Sequence, residues 1–194
     1  TVVIATKVYC NMLAHISYIY AKAISQATQI VIGYLIGAKR YERIEKRVWS
    51  TMFISMAVTF SITFLIYLNS DTIFRIFTED PEVLRLGKQI FFIELFLETG
   101  RSINNAMTKC LVAVGDVKVP VIVGIIGTWS CAVGLGWLLG VHLGYGLVGI
   151  WIALAADECF RGIIFVFRFL SGKWKSKMMA QQVEGKKQEK EIPA

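Results

Sequence analysis

Long apolar runs fill most of the chain and are separated by short polar segments. Residues 48–70 hold 23 positions without a charged side chain, and residues 119–156 hold another 38. A helix needs roughly 20 apolar residues to cross a bilayer. The second run is therefore too long for one helix, and its glycines between 140 and 146 indicate a turn that divides it in two.

Five such helices are predicted, because lipid admits only structures that satisfy their own backbone hydrogen bonds. Together they form one all-α, polytopic membrane helix bundle over residues 1–170. The composition becomes polar and basic after that bundle, and residues 171–194 are predicted to be a disordered tail. The five spans have the approximate bounds 2–37, 48–70, 88–114, 119–140 and 147–170.

Local signals outside the spans support this division. Asp80 is suited to cap a helix whose first residue is Pro81. Residues 71–77 have the amphipathic pattern of a short helix at the membrane interface. Trp49 and Trp174 fall at span ends, where aromatic residues form belts at the membrane surface.

The distribution of charge predicts how the spans are oriented in the membrane. The chain is 55% apolar and only 18% charged, yet its net charge is +7. Lys and Arg collect in residues 39–47, at 109 and 118, and in the tail, whereas residues 70–87 carry more acidic groups. The positive-inside rule then places the amino end outside and the carboxyl end in the cytoplasm of a multi-pass membrane protein. The basic charge thus orients the protein in the lipid bilayer, and nucleic acid is not an expected partner.

Enzyme and metal chemistry lack a sequence signal. The four cysteines are widely spaced, and the two histidines have no partner at metal-ligand spacing. No HExxH or GxSxG motif is present. We therefore expect no enzyme activity, no resident cofactor and no structural metal.

The third span carries a polar stripe. Glu94, Glu98, Arg101 and Asn105 follow the i, i+4, i+7, i+11 spacing of one helix face. Charges inside a membrane are costly, so we expect them to face protein or water. Glu94 has no basic residue one turn away, which makes it a candidate for binding a proton or cation. Glu98 and Arg101 are either a structural pair or part of the same function.

Two other spans carry candidates on polar faces. In the fifth span Asp157 and Arg161 lie one turn apart with Glu158 beside them. They form either a structural ion pair or, through Asp157, part of cation coupling. In the first span Gln26 and Gln29 are either hydrogen-bonding groups of a substrate cavity, with Arg101 and Asn105, or helix-to-helix contacts.

Three stretches give the chain a family resemblance. Residues 29–38 are followed by Glu98-x-Gly-Arg101-x-x-Asn104 with Gly115-Asp116-x-x-x-Pro120, and then by residues 146–151 with Asp157-Glu158-x-x-Arg161-Gly162. Their order and spacing resemble the multidrug and toxic compound extrusion (MATE) family of cation-coupled efflux transporters. The resemblance covers residues 1–178 and is closest to a bacterial branch.

That resemblance implies a twelve-helix fold of two six-helix lobes, to which this chain would contribute helices eight to twelve. The expected partner is then an N-terminal lobe that precedes these residues in a longer protein. The implied activity is antiport by alternating access, in which a sodium ion or proton drives export of an amphipathic or cationic small molecule.

Two alternatives remain open at this stage. A related lipid-linked sugar flippase would need a cavity dominated by Arg and Lys, because its substrate carries pyrophosphate. A membrane fragment that does not transport is the second alternative, and expression of the chain alone would test it.

Overall fold

The structure of the protein, a computed structural model, describes residues 2–176, 178 and 179. Every regular element within those residues is a helix, which confirms the predicted all-α fold class. The elements in chain order are α1 (Val2–Gly37), α2 (Glu42–Leu68), α3 (Ser70–Arg75), α4 (Pro81–Ala113), α5 (Lys118–His142) and α6 (Gly146–Leu170).

Two helices begin well before their apolar runs, at places where local signals favour a helix start. In α2 the acidic Glu42 and Glu45 lie in the first turn, where the partial positive charge of a helix amino end favours them. In α4 the Asp80 carboxylate accepts a 2.9 Å hydrogen bond from the backbone N–H of Glu82, and Pro81 is the first helical residue. The predicted Asp80 cap is confirmed.

The predicted turn in the long apolar run is also confirmed. α5 ends at His142 and α6 starts at Gly146, and Gly144 and Gly146 both have positive φ, at 75° and 56°. Such backbone angles favour glycine because it has no Cβ to clash. The sequence did not indicate that α5 changes to wider π-helical turns over Thr128–Leu135 and Leu138–His142.

α4 lies at the centre of the bundle and packs against α1, α2 and α6. Two apolar cores form around it. One core includes Met107 and Leu111 of α4, and the other includes Ile90 and Phe91. Glu94, Glu98 and Arg101 lie along α4 between these two groups. The helix packing therefore places the charges in the middle of the bundle.

The prediction for Trp174 is wrong in one respect. Its indole is only 1% exposed, stacks on Phe169 with ring centroids 5.2 Å apart, and donates a 3.1 Å hydrogen bond to the Phe169 carbonyl. Residues 173–176 form a further helical turn, so this part of the predicted tail packs against the bundle. A buried indole N–H usually has a hydrogen-bond partner, and the Phe169 carbonyl supplies it here. The predicted disorder of residues 180–194 lies outside the described residues.

Three helices are long and apolar enough to cross a membrane by length and composition: α1, α2 and α5. The two remaining long helices, α4 and α6, carry the buried acidic residues Glu94, Glu98 and Asp157.

Candidate cation and substrate site

A polar cavity of about 400 Å³ opens between α1, α4 and α6. α1 contributes Asn11, His15 and Tyr18 to its wall. α4 contributes Glu94 and Arg101, and α6 contributes Trp151 and Glu158, with apolar neighbours between them. The three helices carry these groups at intervals of three, four or seven residues, so each helix presents one face to the cavity.

Arg101 is shared among several carboxylates. Its guanidinium forms a close ion pair with Glu98, lies 3.5 Å from Glu94 Oε1, and reaches to 3.9 Å from Glu158 Oε1 on α6. The Glu94 and Glu98 side chains are 2% and 0% exposed, and that of Arg101 is 21% exposed. Glu94 therefore has a basic neighbour after all, because the long Arg101 side chain spans two helical turns. No basic residue lies one turn from Glu94 in the sequence, and the part of Glu94 in binding a proton or cation stays a prediction.

Trp151 fixes the other side of Glu94. Its indole N–H donates a 2.6 Å hydrogen bond to Glu94 Oε2, and both side chains are buried. A carboxylate in a bundle needs such donors because unsatisfied buried charge is strongly unfavourable. Glu94 is thus held between a neutral donor on α6 and a cation on its own helix.

A second guanidinium, that of Arg161, lies on α6 one turn beyond Glu158. Arg161 pairs with Asp157 at 2.6 Å and with Glu158 at 3.2 Å. The predicted ion pair between Asp157 and Arg161 is confirmed. The pair packs against Gly127 of α5, where a Cβ would lie 2.8 Å from Asp157 Oδ1. Asp157 is not among the residues that line the cavity, and its part in cation coupling stays a prediction.

α4, which carries Arg101, and α6, which carries Arg161, cross closely. A Cβ at Gly100 would lie 2.7 Å from the Cys159 sulfur and 2.8 Å from its backbone nitrogen. A Cβ at Gly162 would lie 3.4 Å from the Gly100 carbonyl oxygen. Small residues permit this approach, as they do in other membrane bundles. Glu158, next to Cys159, consequently comes within reach of Arg101.

The combined cluster contains more acidic than basic groups. Four carboxylates (Glu94, Glu98, Asp157, Glu158) face two guanidiniums (Arg101, Arg161), which leaves two negative charges in excess when all are ionised. Glu98 Oε2 and Asp157 Oδ1 are buried and accept no hydrogen bond from the described residues. A cluster of this kind favours the uptake of protons or other cations.

Three predicted cavity residues do not line the cavity. Gln26 is exposed and Gln29 is half-buried, two to three turns of α1 beyond Tyr18. Asn105 is half-buried, and its Nδ2 has no hydrogen-bond partner within the described residues. The neighbouring Asn104 instead donates a 2.5 Å hydrogen bond to Glu158 Oε2. The spacing on α4 alone pointed to Asn105, whereas the position of α6 selects Asn104.

Sequence reasoning missed Trp151, Tyr18 and the link between Asn104 and Glu158. Trp151 and Glu94 are 57 positions apart, and Asn104 and Glu158 are 54 apart. Such contacts leave no periodic signal in one helix. They depend on the axial position and rotation of α6 relative to α4. Within the described residues, no group of three or more His, Cys, Asp and Glu side chains is arranged to hold a metal ion.

Comparison with known proteins identifies the family to which the chain belongs. The MatE family model matches residues 1–138. The chain is 34% identical over 177 residues to the uncharacterized transporter YisQ of Bacillus subtilis (strain 168), a match that covers 91% of this chain and 39% of that protein.

Two proteins named probable multidrug resistance protein NorM also match. The one from Thermotoga maritima is 26% identical, with 84% of this chain and 35% of the relative covered. The one from Bacillus licheniformis is 28% identical, with 87% and 37% covered. The chain spans about two fifths of the length of these curated relatives. The family match extends over most of the chain, and the chain belongs to the MatE family.

Proposed function

We propose that the chain forms the C-terminal part of a cation-coupled multidrug efflux antiporter. The protein exports amphipathic or cationic small molecules across the bacterial cell membrane by alternating access, and an inward gradient of sodium ions or protons drives it. A preceding N-terminal lobe is its partner in the bilayer. The family membership and the relatives named as multidrug resistance proteins support this function.

The observation that carries the proposal is the acidic cluster beside the cavity. Its four carboxylates outnumber its two guanidiniums, and this acidic excess attracts cations. The aromatic rings of Tyr18 and Trp151 offer apolar faces to an amphipathic molecule. Aromatic faces also attract organic cations. When a coupling ion neutralises Glu94 or Glu98, the cluster holds a cationic substrate less strongly, so the ion promotes release and the change of state.

The same charges argue against the flippase alternative. A pyrophosphate group requires cationic side chains, and the cavity wall presents Arg101 and His15 against Glu94 and Glu158. Arg101 is already engaged by carboxylates. An anion would meet a region with an acidic excess, which electrostatics disfavours.

The test uses export of ethidium in an efflux-deficient bacterium under an imposed ion gradient. The chain is expressed alone and joined to the N-terminal part of the B. subtilis relative. In the joined protein, Glu94→Gln and Glu98→Gln are expected to lower the transport rate at least tenfold, a change of about 1.4 kcal/mol. The matched control is Glu45→Gln, which removes an exposed carboxylate paired with Lys175.

Three outcomes separate the hypotheses. Normal transport by both cavity variants would remove Glu94 and Glu98 from the coupling site. Transport by the joined protein but not by the chain alone would show that the N-terminal lobe is needed. Absence of ethidium export from a correctly inserted joined protein would contradict the proposed function.

A further inference from the structure

Arg101 occupies the place where a cationic ligand would bind. Its guanidinium carbon lies 5.4 Å from the centre of the Tyr18 ring, and its terminal nitrogen lies 3.5 Å from Glu94 Oε1. An aromatic face and a buried carboxylate are the groups that an organic cation would use in this cavity. Lys22 also approaches the Tyr18 ring, at 5.7 Å, but its own side chain is exposed.

Glu158 is arranged as a second partner for Arg101. Its Oε1 lies 3.9 Å from Arg101 Nε, and its Oε2 accepts the 2.5 Å hydrogen bond from Asn104. The carboxylate is therefore held by α4 while it points across to the guanidinium. At 3.9 Å the Arg101 pair is at the limit of an ion pair, so a short side-chain movement would tighten it.

Arg161 makes this movement feasible without leaving a charge unpaired. It is 2.6 Å from Asp157 and 3.2 Å from Glu158, so it retains Asp157 when Glu158 turns toward Arg101. Arg101 keeps its close pair with Glu98 when a ligand takes Glu94, and a partner that replaces the lost Glu94 contact keeps the guanidinium fully compensated in the bundle. Glu158 supplies that partner.

We propose that Arg101 is a tethered competitor of cationic ligands, and that Glu158 receives its guanidinium when a ligand binds against Glu94 and Tyr18. This inference rests on the proposed function, because it concerns the same cavity and a cationic ligand. Glu158 acts as a positioning residue: it lies in the cavity wall, and its effect on ligand binding is exerted through Arg101. Ligand binding thereby shifts charge from the Glu94–Glu98 pair of α4 toward α6.

A double-mutant cycle tests the relation between the two residues. The full chain is purified in detergent, and binding of tetraphenylphosphonium is measured by equilibrium dialysis. Glu158→Gln keeps the shape of the side chain and an acceptor for Asn104 but loses the charge that receives Arg101. We expect it to weaken binding about tenfold, and to have less than about a threefold effect when Arg101→Gln is already present.

The outcomes distinguish this inference from the proposed function. If Glu158→Gln weakens binding equally with and without Arg101, Glu158 acts only as a general negative charge, and the tethered competitor is contradicted. If Glu158→Gln has no effect in either background, the inference fails in the same way. If the unmodified chain does not bind tetraphenylphosphonium, the cycle is repeated in the protein joined to the N-terminal part of the B. subtilis relative; if that protein does not bind it either, cation recognition by this cavity fails, and with it the basis of both proposals.

Controls separate these effects from misfolding. Glu45→Gln removes an exposed carboxylate outside the cavity and is expected to leave binding unchanged. Size-exclusion profile and far-ultraviolet circular dichroism identify any variant that does not fold. If Glu158→Gln is such a variant, Glu158→Asp replaces it in the cycle, because the shorter side chain keeps the charge but loses reach toward Arg101. Glu158→Asp is likewise expected to weaken binding less when Arg101→Gln is present. An equal effect in both backgrounds would overturn the inference.

Discussion

Arg101 and Arg168 lie on neighbouring helices of one bundle, and they differ in the number of carboxylates around them. Arg101 is shared by Glu94, Glu98 and Glu158 beside an open cavity. Arg168 pairs with Asp116 at 2.7 Å, and the Asp116 carboxylate is fully buried at the junction of α4 and α5. A matched pair satisfies both charges and holds two elements together. An acidic excess leaves charge to be balanced, which suits a site that binds and releases cations.

The largest effect on stability is expected when the matched pair is broken. Arg168→Gln leaves the Asp116 carboxylate buried without its guanidinium, which is expected to lower the free energy of unfolding by about 3–5 kcal/mol. Denaturant unfolding of the purified chain measures the change. Lys175→Gln is the matched control, because its pair with Glu45 has both side chains 51% exposed, and such pairs contribute about 0–1 kcal/mol. Similar losses for both variants would contradict a special role for the buried pair.

An intermediate effect is expected at the helix crossing that assembles the acidic cluster. Gly100→Ala places a Cβ within 2.8 Å of the Cys159 backbone nitrogen, and overpacking of this kind costs about 1–3 kcal/mol. It also moves Glu158 away from Arg101, so cation binding should weaken. Gly33→Ala is the control, because no atom lies within 4 Å of the new Cβ and alanine favours a helix. A destabilising Gly33→Ala and a neutral Gly100→Ala would contradict the close crossing.

The smallest effect on stability is expected inside the cluster. Glu94→Gln removes one of two excess negative charges and keeps an acceptor oxygen for the Trp151 N–H. The lost attraction to Arg101, at 3.5 Å, is offset by relief of repulsion from Glu98 and Glu158. The free energy of unfolding should therefore fall much less than it does for Arg168→Gln. A loss as large as that of Arg168→Gln would mean that the cluster is structural.

The sequence predicted the parts of this comparison that follow from one helix at a time. Apolar runs located the helices, the Asp80–Pro81 pair marked the start of α4, and four-residue spacing identified Asp157 with Arg161. These features are local, because helical periodicity fixes which side chains share a face. The MATE resemblance from three motifs is likewise confirmed.

Contacts between helices could not be predicted from the periodicity of single helices. Two contacts depend on the axial position of α6 relative to α4, which no periodic pattern encodes: Trp151 with Glu94, and Arg168 with Asp116. The choice of Asn104 over Asn105 depends on the same registration. Trp174 was assigned to the membrane surface from its position, but its burial depends on a stacking partner, Phe169, five residues earlier.

Binding of tetraphenylphosphonium to purified Glu94→Gln, measured beside its unfolding free energy, tests the central claim most directly. The claim is that the acidic excess beside the cavity serves cation binding and that the matched pair of Asp116 and Arg168 serves the fold. The account predicts at least about tenfold weaker binding with stability close to that of the unmodified chain. Unchanged cation binding by a stably folded Glu94→Gln would contradict it.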